Sequence, residues 1–286
     1  MKVERYKDLD YEYLRIDSSK MNDYINYINK NDIKNLDINS ISGYRLKDVN
    51  FLEFCPNIEV ISITDRDIDI EGIKHLKSLR VLTSNSNPIS NFDLSIFPNL
   101  ESLSVDWNGK WSNITECLNL KSLRVWSYKE DDLMCFKKLE KLKILSLNES
   151  SISSLSGIEK LKSLTKFEGY YLKKLSQINI NKEIDNLKEI HLEYCKKIEN
   201  FQDISKIKGL RKLSLIFCSQ KIKSVSFIEK LPYLVEFNIK GTTIEDGDTS
   251  FFSRLQMFYF DNKKDYNYSY KELILPKLKQ KANRIN

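Results

Sequence analysis

One spacing of apolar residues recurs along almost the whole chain and constrains its fold more than any other feature. The spacing is an apolar residue, two others, an apolar residue, one other and an apolar residue, as in Leu142/Leu145/Leu147. The first residues of the copies stand at positions 11, 33, 58, 79, 100, 120, 142, 164, 187, 210, 234 and 255. A mean interval of about 22 residues, kept over this many copies, predicts an array of stacked structural repeats.

Each copy of the spacing fits a short β-strand followed by a turn. Successive side chains of a strand point to opposite faces, so the second and third apolar residues share one face and would stack on those of neighbouring repeats. The segments after the turns, such as Gly157–Leu161, have room for only one or two helical or 3-10 turns. The sequence therefore predicts an α/β fold, a right-handed solenoid with a parallel concave β-sheet and short helical or 3-10 convex segments.

These repeats resemble the leucine-rich-repeat family in its short bacterial form, with spacing similar to that of internalins. The resemblance is carried best by Leu139, Leu142, Leu145, Leu147, Ser150, Ile152, Leu155, Ile158, Leu161 and Leu164. The family's turn position, three residues after the last apolar one, usually holds Asn, Cys or Thr. It corresponds here to Asn87, Asn108, Ser150, Cys195, Cys218 and Thr242. Arg66, Tyr128 and Leu172 depart from the pattern, which implies irregular turns there.

The ends of the chain are expected to cover the exposed flanks of the repeat array. Met21, Tyr24, Ile25 and Ile28 lie on one face of a helix predicted for residues 20–30. We predict an N-terminal cap and first degenerate repeat over 1–32, a leucine-rich-repeat solenoid over 33–261, and a C-terminal cap with a basic tail over 262–286. A basic amphipathic membrane anchor is an alternative interpretation of this tail.

Composition limits the classes of protein that need to be considered. Forty-six Lys and Arg against 40 Asp and Glu give a formal charge of +6, too small an excess to indicate nucleic-acid binding without clustering. No run approaches the roughly 18 apolar residues of a membrane span, and the polar N-terminus does not resemble a signal peptide. The five cysteines lack CxxC spacing, which favours reduced thiols and a cytoplasmic location.

The residue types needed for catalysis or cofactor binding do not come together in the sequence. His75 and His191 are the only histidines, and neither phosphate-binding nor dinucleotide-binding glycine motifs occur. His191 is expected beside Glu168 on the next strand, but no nucleophile or metal-ligand set completes that pair. We therefore predict a protein that is not an enzyme and has no cofactor, metal or catalytic residue.

The residues between the buried positions should face the concave side and form rows across neighbouring strands. From the fifth copy onward they change from small and polar to aromatic and charged. We predict one continuous aromatic band formed by Trp107, Trp126, Tyr170, Tyr171, Tyr194 and Phe217. Exposed aromatics beside charges are typical of protein interfaces. The predicted partner-binding residues are Asp106, Trp107, Arg124, Trp126, Glu168, Tyr170, Tyr171, His191, Glu193, Tyr194 and Phe217.

The sequence thus favours a module that recognises a partner protein through its concave face. An immunity or antitoxin-like protein that masks a basic toxin, and a scaffold that links two proteins, are alternatives. Nucleic-acid binding is disfavoured, because acidic residues share the surface with the aromatic ones and phosphate binding requires net positive charge there. The identity of the partner and the oligomeric state do not follow from the sequence.

Overall fold

A computed structural model of the protein describes residues 3–5 and 12–282, with side chains for residues 12–278. Tyr11, which begins the first predicted repeat, lies outside the described residues, as do the last four residues of the tail. The chain divides into two compact units. Unit 1 comprises residues 1–128 and 138–142, and unit 2 comprises residues 129–137 and 143–286.

Unit 1 consists of short strands that alternate with turns and 3-10 helices. Its strands are β1 (Val3–Arg5), β2 (Glu12–Arg15), β3 (Asn35–Ile38), β4 (Val60–Ile63), β5 (Val81–Ser84), β6 (Phe92–Asp93), β7 (Ser102–Asp106), β8 (Trp111–Ser112) and β9 (Ser122–Trp126). Helix α1 spans Met21–Lys30, and 3-10 helices span Ser18–Lys20, Ser40–Ser42, Asn50–Phe54, Glu71–His75, Leu94–Ile96 and Ile114–Glu116. The sheet order is β1-β2-β3-β4-β5-β7-β9, antiparallel between β1 and β2 and parallel from β2 onward, with β6 and β8 forming a separate parallel pair.

Unit 2 repeats the same arrangement. Its strands are β10 (Ile144–Asn148), β11 (Lys166–Tyr170), β12 (Glu189–Glu193), β13 (Lys212–Ile216), β14 (Lys221–Ile222), β15 (Glu236–Lys240), β16 (Thr243–Ile244) and β17 (Met257–Phe260). The 3-10 helices span Met134–Lys138, Ile158–Lys160, Gln202–Lys206, Ser226–Lys230 and Ser250–Arg254, and helix α2 spans Tyr270–Ala282. The parallel sheet has the order β10-β11-β12-β13-β15-β17, and β14 pairs with β16.

The strand register follows the apolar spacing of the sequence. In unit 1 the second apolar residues of successive copies pair in the order Leu14, Leu36, Ile61, Leu82, Leu103 and Leu123. In unit 2 the corresponding order is Leu145, Phe167, Ile190, Leu213, Phe237 and Phe258. All of these side chains are buried. The predicted solenoid of parallel strands and short 3-10 segments is therefore confirmed.

The residue directly after each of the strands β9, β10, β11, β12, β13 and β15 has a positive φ, in the left-handed region. Glycine is not required at this position. In unit 2, Tyr171, Tyr194 and Phe217 have φ values of 55°, 55° and 52°, and Gly241 has 73°. The next residue turns inward, so Leu172, Cys195, Cys218 and Thr242 are buried. In unit 1 the same holds for Ser127 (φ 58°) and the buried Tyr128.

The expectation of irregular turns at Tyr128 and Leu172 is therefore wrong. The residue with positive φ turns the backbone, so that the side chain of the next residue points into the core. That buried position accepts an aromatic or aliphatic side chain as well as a polar one. Arg66 does differ, because it is not buried and the left-handed residue of its turn is Asp67 (φ 64°). Asn108, which matches the family pattern, is exposed.

The turn cysteines lie within hydrogen-bonding distance of backbone carbonyl oxygens. Cys195 Sγ lies 3.7 Å from the carbonyl oxygen of Gly169 and 3.5 Å from that of Glu193, so its single thiol proton can donate to either. The Cys218 thiol donates to the carbonyl oxygen of Ile216 at 3.5 Å. All five cysteines are thiols, and only Cys135 is exposed.

Thiol reactivity should follow this burial. Desolvation raises the pKa of Cys55 to about 11 and is the largest cause of the rise in the pKa of Cys117 to about 12. At pH 8 these thiols are therefore almost entirely protonated, and the thiolate is the reactive form. A hydrogen bond between Cys195 and Cys218 lowers the pKa of Cys195 and raises that of Cys218, but both side chains are completely buried and the reagent does not reach them. We expect Ellman's reagent to modify one thiol rapidly in the native protein and all five after denaturation. Cys135→Ser should remove the rapid phase, and a rapid phase of two or more thiols would contradict the assignment.

A ladder of alternating charges connects four consecutive repeats of unit 1. Arg80 pairs with Glu59 at 3.4 Å and with Glu101 at 3.1 Å, and Glu101 also pairs with Lys121 at 2.8 Å. Each of these residues directly precedes the strand of its repeat. The hydrogen bonds from Lys121 and Arg80 hold the pKa of Glu101 below its usual value. Neighbouring repeats of unit 1 thus carry opposite charges at equivalent positions.

Helices cover residues at both ends of the described chain. Helix α1 buries Ile28, and the other three residues predicted to share its inner face, Met21, Tyr24 and Ile25, are half-buried, whereas most of its remaining residues are exposed. In unit 2 the Tyr270 ring of α2 lies 5.4 Å from the Phe258 ring, and Lys277 Nζ donates to the carbonyl oxygen of Ser253 at 2.6 Å. The proposed cap boundaries at residues 32 and 262 remain predictions.

Candidate functional site

The outward residues of the unit 2 sheet form rows across neighbouring strands, and in one row the charges alternate. The first row contains Lys166, Glu189, Lys212 and Glu236 on successive strands. Lys212 pairs with Glu189 at 3.3 Å. Opposite charges directly across neighbouring strands attract each other modestly, whereas like charges would repel. The opposite charges of this row therefore largely cancel, and the row exerts little net electrostatic attraction on a charged partner.

Glu168 and His191 are neighbours on β11 and β12, as the sequence predicts, and each has a partner on its own strand. Glu168 is only 8% exposed, and its carboxylate contacts Lys166 Nζ at 2.7 Å. The hydrogen bond to Glu168 raises the pKa of Lys166. His191 Nε2 lies 3.4 Å from Glu193 Oε2, and its ring is 5.2 Å from the Tyr170 ring. Among the predicted partner-binding residues, Glu168 is thus the least accessible.

Three aromatic rings of unit 2 stack along the turns that follow β11, β12 and β13. The Tyr171 and Tyr194 centroids are 4.8 Å apart with an interplanar angle of 11°, and those of Tyr194 and Phe217 are 5.1 Å apart with an angle of 14°. Tyr171 is 45% exposed, and the other two rings are half-buried. We call these three residues the ring stack.

The ring stack continues over a glycine in the next repeat. Gly241 occupies the equivalent left-handed position, and a Cβ atom there would lie 2.1 Å from the Phe217 ring. Phe217 therefore covers the place that a fourth side chain would need. Lys240 Nζ lies 5.7 Å from the Phe217 centroid, and Lys196 Nζ lies 5.9 Å from the Tyr194 centroid, distances compatible with cation–π attraction.

The prediction of one continuous aromatic band is wrong, because the aromatic residues belong to two different rows. Tyr170 ends β11, and its neighbours in register are Asn148 and Glu193 rather than another ring. Tyr171 is one residue further along and belongs to the ring stack. In unit 1, Trp126 pairs with Asp106, whereas Trp107 follows the end of β7. A one-residue offset thus separates residues that were predicted to form one band.

Unit 1 contains the remaining predicted partner-binding residues. Trp107 and Trp126 are half-buried, and the Trp107 amide donates to the Trp126 carbonyl oxygen at 2.8 Å. The Asp106 carbonyl oxygen accepts a hydrogen bond from Trp111 Nε1 at 2.9 Å. Arg124 is exposed on β9, beside Ser104 of β7. The structure therefore brings Asp106, Trp107 and Trp126 together within this unit.

Two pairs of lysines that follow the ring stack are not among the predicted partner-binding residues. Lys173 and Lys174 follow Leu172, and Lys196 and Lys197 follow Cys195, and all four are exposed. The signal was available, since two consecutive repeats place Lys-Lys directly after the inward turn residue. The relation of these lysines to the ring stack depends on the stacking of Tyr171 and Tyr194, which the sequence pattern does not reveal.

Within the described part of the chain, no group of three or more His, Cys, Asp or Glu residues could hold a metal ion. His75 lies exposed at the end of a 3-10 helix. None of the described helices combines the length and the apolar character needed to cross a lipid bilayer.

The sequence matches no protein-family model, and no curated protein matches it significantly. Solved structures do match. An internalin (inlF) from Listeria monocytogenes has 19% identity and a TM-score of 0.50 over 82% of this chain and 77% of that chain. The leucine-rich repeat domain of the type III effector XCV3220 (XopL) has 18% identity and a TM-score of 0.51, covering 70% of this chain and 73% of that domain.

A third likeness extends over more of this chain but less of its counterpart. TLR13, in its complex with ssRNA13, has 15% identity and a TM-score of 0.50 over 92% of this chain and 48% of that chain. At these identities the likenesses concern the fold. Together with the strand register, they identify the chain as a protein of the leucine-rich-repeat fold.

Proposed function

We propose that this protein is a recognition module, without catalytic activity of its own, that binds a partner protein through the aromatic and charged outward surface of its repeats. In unit 2 this surface comprises the ring stack with Tyr170, His191 and Glu193. In unit 1 it comprises Asp106, Trp107, Arg124 and Trp126. Aromatic side chains set among charged ones are the composition of interface hot spots.

The observation that carries the proposal is the backbone conformation of the ring stack. A non-glycine residue in the left-handed region costs about 1–2 kcal/mol, so the three rings together cost about 3–6 kcal/mol. Two stacking contacts return only about 0.5–1.5 kcal/mol each. Gly241 serves the same turn without this cost. Since stacking alone does not offset the backbone cost and two of the rings are only half-buried, aromatic side chains at these accessible positions are better explained by contact with a partner.

The rigidity of the surface also supports this function. The rings are held by their neighbours at 4.8 and 5.1 Å, and the strands beneath them are fixed by parallel pairing. A surface that is already ordered loses little conformational entropy when it binds. Affinity can then come from a few well-placed contacts.

Nucleic acid is a less favoured partner, although the structural neighbour TLR13 forms a complex with ssRNA13. The outward rows of unit 2 contain Glu189, Glu193 and Glu236 among their lysines. These carboxylates weaken the attraction for a phosphate backbone. Recognition of a protein surface makes use of both signs of charge.

The test is replacement of the central ring by the residue that tolerates its backbone conformation. We expect Tyr194→Gly to weaken partner binding by about 30-fold or more, since loss of a hot-spot side chain costs at least about 2 kcal/mol. The free energy of unfolding should change by less than about 1 kcal/mol, because relief of strain offsets the lost stacking. The measurements are quantitative affinity capture from cells of the source organism and chemical denaturation.

Tyr233→Ala is the matched control. Tyr233 is also an exposed tyrosine of unit 2, at 59% exposure, but it follows the 3-10 helix Ser226–Lys230 and lies outside the ring stack. It should leave capture of the partner unchanged. Undiminished capture by Tyr194→Gly would contradict the proposed function, and so would a large loss of stability, which would mark the ring as a structural element.

A further inference from the structure

Charge is distributed unevenly between the two units. Unit 2 contains 28 Lys and Arg against 20 Asp and Glu, whereas unit 1 contains 18 against 20. The formal charge of +6 therefore arises entirely from unit 2. An excess of this kind attracts an oppositely charged partner if it is exposed and locally uncompensated.

Part of this excess lies directly beside the ring stack. Lys173, Lys174, Lys196 and Lys197 are all exposed. Lys196 Nζ reaches to within 5.9 Å of the Tyr194 ring, and Lys173 holds the equivalent position two residues after Tyr171. We call these four lysines, with Tyr171 and Tyr194, the lysine–tyrosine strip.

The strip is not neutralised by neighbouring acids. Within residues 12–278, where side chains are described, none of its four lysines forms an ion pair, in contrast to Lys166 and Lys212 on the adjacent strands. The nearest acids in sequence are Glu193, which contacts His191 at 3.4 Å, and the exposed Glu199. Four positive charges thus stand on consecutive turns, whose rings are 4.8 Å apart.

From this arrangement we propose that the lysine–tyrosine strip binds an acidic polypeptide segment of the partner protein. Ammonium groups and phenol hydroxyls are both hydrogen-bond donors, and a carboxylate accepts several hydrogen bonds at once. The Tyr171 and Tyr194 hydroxyls make no hydrogen bond to any other described residue, so they remain available to such an acceptor. Charge-assisted hydrogen bonds of this type are stronger than neutral ones.

The ring geometry favours an acidic polypeptide over a single-stranded nucleic acid. Proteins that bind single strands stack bases on open aromatic faces. Tyr194 has ring neighbours on both faces, at 4.8 and 5.1 Å, so no base fits between them. Tyr194 therefore offers its ring edge, which carries partial positive charge and attracts carboxylates. The inference rests on the proposed function, since it specifies the chemistry of its partner, and it disfavours the basic toxin considered from the sequence.

The experiment measures binding of a fluorescein-labelled dodecamer of glutamate to the full chain by fluorescence anisotropy at low salt. The test variant replaces Lys173, Lys174, Lys196 and Lys197 by Gln. The control variant replaces Lys160, Lys182, Lys263 and Lys264 by Gln, which are also exposed lysines of unit 2 and form no ion pair within residues 12–278. Both variants lose the same charge, so they differ only in where it is lost.

We expect the test variant to weaken binding at least tenfold and the control variant less than threefold. Equal weakening would show that only total charge matters and would overturn the inference, as would failure of the wild-type chain to bind the peptide. Tighter strip-dependent binding of a uridine dodecamer than of the peptide would overturn it in favour of nucleic acid. If the inference fails while Tyr194→Gly still weakens partner capture, the proposed function stands without it.

Discussion

Phe237→Ala is expected to lower the free energy of unfolding of unit 2 by about 3–5 kcal/mol, the range for removing a large aromatic side chain from a packed core. Phe237 is completely buried on β15, between Leu213 and Phe258 in the strand register. Its ring stacks on Phe252 at 5.4 Å with an interplanar angle of 5°, and meets Phe227 edge-on at 6.2 Å. Alanine would leave a cavity that these rings cannot fill without moving.

Chemical denaturation followed by circular dichroism measures this effect. Tyr233→Ala removes an aromatic side chain from the surface of the same unit and should cost less than about 0.5 kcal/mol. The repeats nearest Phe237 should also lose protection against amide hydrogen exchange first, because each repeat is supported by its neighbours. A loss below about 1 kcal/mol for Phe237→Ala would mean that the ring is not part of a tightly packed core.

Gly209→Ala is expected to cost about 3 kcal/mol, at the upper end of the range for overpacking. A Cβ atom at Gly209 would lie 1.9 Å from the carbonyl oxygen of Asp185 and 2.6 Å from Lys188 Nζ. Lys188 can swing away, but the Asp185 oxygen belongs to the backbone of the preceding repeat. The two turns would therefore have to separate.

Gly109→Ala separates this steric effect from backbone conformation. Gly109 has a φ of +83°, yet a Cβ atom there would meet nothing within 4 Å. Its replacement should cost only the conformational penalty of about 1–2 kcal/mol. Melting temperatures of the two variants provide the comparison, and a smaller loss for Gly209→Ala than for Gly109→Ala would show that the close approach at Asp185 is readily relieved.

The strand register could be predicted from the sequence because it depends on a periodicity of two. Leu145, Phe167 and Ile190 had to share one face if any of them was buried, and a slip by one residue would have exposed all three. The turns were harder to predict. Tyrosine and phenylalanine rarely adopt positive φ, so nothing in their propensities indicated that Tyr171, Tyr194 and Phe217 would lead the chain inward.

The candidate site was predicted in composition but not in arrangement. Trp126 and Tyr171 were predicted to belong to one band, although Trp126 stands one residue and Tyr171 two residues after the last position of the repeat spacing, an offset that the spacing already contains. The burial of Glu168 depends on how Lys166 folds over it, which is a matter of side-chain conformation rather than pattern. The Lys-Lys pairs were visible as residues, but their relation to the ring stack emerges only in three dimensions.

The charge ladder of unit 1 constrains how the number of repeats can change during evolution. Glu59, Arg80, Glu101 and Lys121 alternate in sign from one repeat to the next. Deleting the repeat that contains Arg80 would set Glu59 against Glu101, and like charges at adjacent positions repel. Gain or loss of two repeats at a time keeps opposite charges at neighbouring positions, whereas gain or loss of one repeat does not. We therefore expect that the ancestral unit of duplication was a pair of repeats, one with an acidic and one with a basic residue before its strand.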